Sequence, residues 1–186
     1  MMDIEGRKNM YAVEMFFSEE IEDYVRQIWY SLAEENLDSS LISIKEIKPH
    51  ITLATYESLQ LESFKKQFIS FIEKFEPIDV NFVTLGTFPA TGACFLIPTM
   101  TEELLRLHKN YHKKFEQFND STHIYYLPNN WNPHCSLAVG LDKNKLVKVF
   151  EHCLEKFKIL SGKIIEIGLV EVKYKNNKCV SSPRIL

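Results

Sequence analysis

Apolar runs and amphipathic stretches alternate along this chain in a fixed order, and the order occurs twice. Tyr11 to Phe17 is rich in β-forming side chains and reads as a strand. Ser18 then stands where a helix cap belongs. Ile21, Tyr24, Val25, Ile28, Trp29 and Leu32 follow at the spacing of one helical face. Leu41 to Ile47 alternates apolar and polar positions, which predicts a second strand, and Pro49 to Tyr56 is a third. Ser58 opens a second predicted helix with Leu61, Phe64, Phe68, Phe71, Ile72 and Phe75 on one stripe, and Ile78 to Leu85 is again a strand.

The same β-α-β-β-α-β order then recurs. Cys94 to Ile97 is a strand, and Thr101 caps a helix carrying Leu104, Leu107, Tyr111, Phe115 and Phe118. His123 to Leu127 and His134 to Val139 are strands. Asp142 caps a helix with Leu146, Phe150, Cys153, Leu154 and Phe157, and Lys163 to Tyr174 closes the set as a long strand. An offset of 84 lays Lys48-Pro49-His50 on Asn132-Pro133-His134, Thr52 on Ser136, and Ser58 on Asp142. The segment Gly86 to Gly92, with its Gly, Pro and Thr, is the natural joint. The expected fold is α+β: one bilobal domain over 1–186, with repeats at about 10–92 and 93–177. Two antiparallel sheets are expected to face a central cleft, with the helices outside.

Composition narrows the class. With 186 residues, 45% of them apolar, and 13 Phe and 8 Tyr, the chain can bury a sizeable core. Met1 to Met10 is charged and has no apolar stretch of a secretory signal, and no run approaches a membrane span, so a cytosolic protein is expected. The cysteines at 94, 135, 153 and 179 include no Cys-x-x-Cys pair and read as reduced core thiols. The net charge of −3 does not mark a polyanion binder, yet residues 143–186 hold ten Lys and Arg against four acids. That basic third is either a solvated face or a surface that steers a phosphate-bearing ligand.

The chemistry concentrates in Pro49-His50-Ile51-Thr52-Leu53 and Pro133-His134-Cys135-Ser136-Leu137. On a strand, residues i and i+2 share a face. His50 therefore projects with Thr52, and His134 with Ser136, while Ile51, Leu53, Cys135 and Leu137 turn to the core. Two imidazoles on opposite sides of a phosphorus atom can divide proton removal from an attacking hydroxyl and proton delivery to a leaving oxygen. The hydroxyls of Thr52 and Ser136 can donate to the non-bridging oxygens as charge builds there. The spacing His-x-[Ser/Thr] alone is weak: 6 His and 21 Ser plus Thr in 186 residues give about 0.7 matches by chance. The weight lies in context, since both copies follow proline, both enter apolar strands and both fill the same slot of the repeat.

With these motifs the chain resembles the two-histidine phosphoesterase superfamily, which includes bacterial 2′-5′ RNA ligase-like proteins and RNA cyclic phosphodiesterases. The likeness in element order runs from about Tyr11 to Tyr174. It implies a bilobal fold with facing motifs, and metal-independent hydrolysis of a cyclic phosphate, typically a 2′,3′-cyclic phosphate at an RNA or nucleotide end. His50, Thr52, His134 and Ser136 match the family's catalytic positions, with Ser136 in place of the usual Thr. By the same resemblance His134 activates water and His50 protonates the leaving oxygen; the sequence itself does not order the two roles. Reversible 2′-5′ joining of RNA is the alternative, and a non-catalytic nucleotide- or RNA-binding module is a third reading.

Other residues are candidates for the site. Tyr56 shares the alternation of His50 and Thr52, about 13 Å beyond Thr52, and is a candidate for stacking a base at the cleft rim. Trp131, in the turn-rich loop Pro128 to Pro133, is a second candidate; its competing role is to anchor that loop. Glu14 interrupts the first apolar strand, and either lines the cleft or faces solvent. His108 and His112 stand i, i+4 on a helix flanked by lysines and read as surface or helix-edge side chains, as do His123 and His152. No phosphate-cradling Gly-x-x-x-x-Gly-Lys-[Ser/Thr] loop and no Gly-x-Gly-x-x-Gly fingerprint is present, so no nucleotide cofactor is expected, and no cluster of His, Cys, Asp or Glu has ligand spacing, so no metal is expected. The expected partner is a substrate, an RNA end or a small cyclic nucleotide, with neither a membrane nor an obligate protein partner.

Overall fold

The computed structural model describes residues 9–186. Strand β1, Met10–Phe17, leads into helix α1, Glu19–Glu34, which buries the six side chains its periodicity singles out. Three acids in the first turn of α1 lie favourably on the helix dipole. Ser18 holds the cap position, but its side chain makes no bond to its own helix; the hydroxyl accepts from the Lys163 N–H at 3.2 Å instead. There follow β2 (His50–Tyr56), α2 (Leu61–Ile72), β3 (Ile78–Phe88), β4 (Ala93–Pro98), α3 (Glu102–Lys114), β5 (Cys135–Ala138), α4 (Lys143–Lys156), β6 (Leu160–Lys175) and β7 (Lys178–Ser181). Thr101 and Asp142 cap α3 and α4 as expected, accepting from the N–H groups of Leu104 and Lys145.

Four expectations fail locally. Leu41 to Ile47 is a run of turns with a single bridge, Lys45 to Ser181, and Glu46 adopts a positive φ of 61° that breaks the extended path. His123 to Leu127 holds a 3₁₀ turn, Ile124–Tyr126, rather than a strand; Ile124 and Tyr125 are 59% and 69% exposed, so no sheet face receives them. Helix α2 begins at Leu61 with Gln60, not Ser58, at the cap. Leu154, expected on the buried stripe of α4, is exposed, and Val149 takes its place.

The strands form one antiparallel ladder in the order β2-β1-β6-β3-β4-β5, with β7 on the far end of β6. The two separate sheets expected from the repeat are thus joined. The cause is the length of β6: Leu160 to Ile164 pairs with β3, and Ile164 to Val172 pairs with β1. Residues 86–93, the expected joint, run from the end of β3 through the hairpin turn into β4. Element order carried the repeat, but it does not say which strands pair. The helices also pair across the sequence halves. Phe64, Phe68 and Phe71 of α2 interlock with Tyr111 of α3 and its C-cap Phe115 at ring separations of 5.0 to 6.3 Å. Tyr24 of α1 donates to the Lys156 carbonyl at the end of α4, 3.0 Å away. Burying an aromatic ring of this size is worth roughly 1.5–3 kcal/mol, so these interlocks hold the sheet's curvature firmly.

Candidate active site

Although β2 and β5 end the ladder on opposite sides, they touch. The indole N–H of Trp131, in the loop before β5, donates to the Thr52 carbonyl at 3.0 Å, and the backbone N–H of His50 reaches the Cys135 thiol. The sheet curls until its two edges meet, and the two motif strands lie side by side.

The histidines are held alike. His50 Nδ1 lies 2.7 Å from the Lys48 carbonyl, and His134 Nδ1 lies 2.7 Å from the Asn132 carbonyl. A carbonyl only accepts, so both Nδ1 atoms carry hydrogen and both Nε2 atoms are left for other chemistry. The offset of 84 relates these bonds too. Thr52 and Ser136 follow two residues along, both half-buried, while Ile51, Leu53, Cys135 and Leu137 are buried on the other face as the alternation requires.

The surroundings differ. His134 sits against Phe88, edge-on at 5.1 Å, and Phe95 at 4.9 Å. Burial lowers its pKa, and the charge of His50 adds to the effect, against the Asn132 carbonyl, which raises it. His50 instead meets a carboxylate: Glu14 Oε1 is 3.4 Å from His50 Nε2. Glu14 is only 4% exposed, so it lines the cleft face of β1 and not solvent. Burial raises its pKa, and His50 draws it partly back.

Tyr56 does not reach the cleft. In the β1–β2 pairing, Glu14 opposes Thr52 but Val13 opposes Ala54, leaving Leu53 as an extra residue. This β-bulge reverses the alternation beyond Thr52. Tyr56 is therefore fully buried, its hydroxyl 2.6 Å from that of Tyr111 and its ring 5.3 Å from Phe64. It packs the core and stacks no base. Trp131 is the anchor of its loop: its N–H is engaged by Thr52, and His108 covers one face of its ring at 4.0 Å and 7°.

His108 and His112 are not surface residues; they are 1% and 2% exposed. His108 Nε2 bonds the Tyr126 carbonyl at 2.8 Å, and His112 spans Asn119 Oδ1 and the carbonyl of the bulge residue Leu53. Burial drops the His108 pKa to about 4. With their nitrogens so engaged they form a buried brace behind β2, not a metal pair. Among the described residues, no three of His, Cys, Asp and Glu are grouped as metal ligands would be. His152 pairs with Ser31 at 2.9 Å. Trp29, read from sequence as core alone, also donates to the Ser136 carbonyl at 3.1 Å. An indole thus holds the hydroxyl-bearing residue of each motif, a feature no spacing announces.

An α+β fold whose edge strands bring together paired His-x-[Thr/Ser] motifs is that of the two-histidine phosphoesterases. The model of the 2'-5' RNA ligase superfamily matches residues 17–174, and the chain belongs to that superfamily. Among solved structures, Escherichia coli LigT complexed with 3'-AMP shares the fold at 12% identity and a TM-score of 0.62, over 98% of this chain and 97% of LigT. LigT in apo form matches at 10% identity and a TM-score of 0.60, over 96% of each chain. A crystal structure described as a phosphoesterase matches at 10% and 0.59, over 95% of this chain and 94% of its own. No curated protein matches the chain in sequence. No helix among the described residues is long and apolar enough to cross a membrane.

Proposed function

We propose that this cleft hydrolyses a phosphodiester, and that its substrate is a 2′,3′-cyclic phosphate at the end of an RNA or a nucleotide. The observation that carries the reading is the repeated histidine anchor, in which each Nδ1–H is tied to the carbonyl two residues back and each Nε2 is left for proton transfer. In the reaction, His134 Nε2 takes a proton from water as the water oxygen bonds to phosphorus. The bond from phosphorus to one ribose oxygen breaks, and that oxygen takes a proton from His50 Nε2. Thr52 and Ser136 donate to the non-bridging oxygens. The lowered pKa of His134 suits the base, because the imidazole is neutral before attack. Half-buried Phe88 beside His134 offers a ring face to a base. Structures of LigT with 3'-AMP, ATP and phosphate support a ligand of this class.

The superfamily's name supports a second reading, 2′-5′ ligation. A ribose hydroxyl then replaces water as the group that His134 deprotonates. One experiment separates them: 2′,3′-cyclic nucleotides, and RNA ends with and without an acceptor hydroxyl, are incubated with the protein and followed by phosphorus NMR. A new phosphomonoester supports hydrolysis, and a new 2′-5′ diester supports joining. Binding with neither product removes the catalytic reading in favour of a nucleotide-binding module.

A further inference from the structure

The repeat that makes the histidine anchors equivalent does not extend to the residues across the ladder. Across the ladder, Ser136 faces Phe95, whereas Thr52 faces Glu14. A carboxylate thus stands where the other half has a phenyl ring. Its Oε1 is 3.4 Å from the one nitrogen of His50 not already committed to the backbone. A carboxylate with so little solvent is stable only with a proton or a partner, and among its neighbours His50 Nε2 supplies that proton. Gly168, opposite Glu14 on β6, brings no charge. Glu166 lies two pairs further, opposite Phe16, and is engaged by Arg184. Lys48 rests over the Phe16 ring at 6.0 Å, and His134, just before β5, is close enough to feel the charge of His50.

We propose that Glu14 is a positioning residue that accepts the Nε2 proton of His50, and thereby makes His50 the acid and His134 the base of the reaction. The proposal rests on the phosphodiesterase reading above. Before turnover the Glu14–His50 pair holds one proton between its two members. During turnover that proton passes from Nε2 to the leaving oxygen. Glu14 then accepts a fresh Nε2–H when solvent returns a proton to His50, and itself ends unchanged. Among the described residues His134 meets two phenyl rings and no carboxylate, so it starts without the proton and takes one from the nucleophile.

The test is carbon-13 and nitrogen-15 NMR on the whole protein, run beside rates on a 2′,3′-cyclic nucleotide in Glu14→Gln and Glu14→Asp. The His50 contact draws the Glu14 carboxyl down against its burial, so that carboxyl titrates higher in His50→Gln than in wild type. The His50 Nε2 resonance moves in Glu14→Gln, while that of His134 stays. In Glu14→Gln kcat falls about tenfold while KM changes little. Glu14→Asp, which withdraws the carboxylate by one methylene, recovers part of the loss, and it carries the test alone if the Gln variant does not fold. A Glu14 carboxyl that titrates alike with and without His50, or an Nε2 resonance unmoved by the Glu14 variants, overturns the proposal. The NMR readings need no turnover, so a protein that cleaves nothing leaves this result readable and sinks only the phosphodiesterase reading.

Discussion

Acid should loosen the site from behind before it touches the chemistry in front. His108 is buried against Trp131 and has a pKa near 4, while the same side chain in an unfolded chain titrates near 6.5. A histidine whose pKa is lowered by folding favours the folded state fully above the unfolded value. That advantage is lost as pH falls through 6.5 toward 4. The gap of about 2.5 units is worth at most about 3.4 kcal/mol, at 1.36 kcal/mol per unit, and stopping at pH 4.5, above the folded value, leaves about 2 kcal/mol of it to be seen. The loss has a functional route, because His108 stacks on Trp131, Trp131 holds Thr52, and the same loop carries His134. Burial lowers the His134 pKa as well, so His134 adds a loss in the same direction. Glu14 acts oppositely, since a raised carboxyl pKa favours the fold at low pH, so the wild-type slope alone is not diagnostic. The difference between wild type and His108→Gln isolates the histidine. Urea unfolding at intervals from pH 7.5 to 4.5 should show wild type losing about 2 kcal/mol more than the variant. Equal slopes for the two proteins would refute the reasoning.

Other outcomes follow from the same contacts. Tyr56→Phe should leave the buried Tyr111 hydroxyl without its partner and cost about 1–3 kcal/mol in denaturant melts, with Tyr56→Phe/Tyr111→Phe recovering part of the loss and kcat unchanged throughout. A fall in kcat for Tyr56→Phe would put Tyr56 back at the cleft. Burial pushes the Cys135 thiol to about 12, so iodoacetamide at pH 8 should modify Cys135 only in urea, as peptide mass mapping would show. Turnover on a cyclic nucleotide should survive EDTA, and loss on chelation with recovery on added zinc or manganese would rule out the metal-free mechanism.

Where the sequence was legible, one physical rule reached the result unaided. The α1 stripe, the caps at Thr101 and Asp142, and the inward turn of Ile51, Leu53, Cys135 and Leu137 are all local periodicity. The failures mark places where a distant partner decides. Alternation holds from His50 to Thr52 and ends at Leu53, because the bulge is a property of the pairing with β1 and not of the letters of β2. Flanking lysines made the His108–His112 face look solvated, yet the Trp131 loop folds down over it. Glu14 could be placed on a face but not beside His50 until the register was known. Trp29 gave no signal of its bond to Ser136, since an indole on an apolar stripe looks the same with or without an acceptor.

The central claim is that His50 and His134 act as one acid–base unit, and single-turnover rates of three variants on a 2′,3′-cyclic nucleotide test it most directly. His50→Ala and His134→Ala should each slow the chemical step by about 10²–10⁴-fold. Thr52→Ala and Ser136→Ala, which remove one donor each, should lose about 10–10³-fold and serve as the comparison. The double histidine variant should be scarcely slower than either single one, because groups that act together are not additive. If His134→Ala cleaves at a near-normal rate, or if the double variant loses the product of the two single effects, the two histidines do not work as a pair and the account is contradicted.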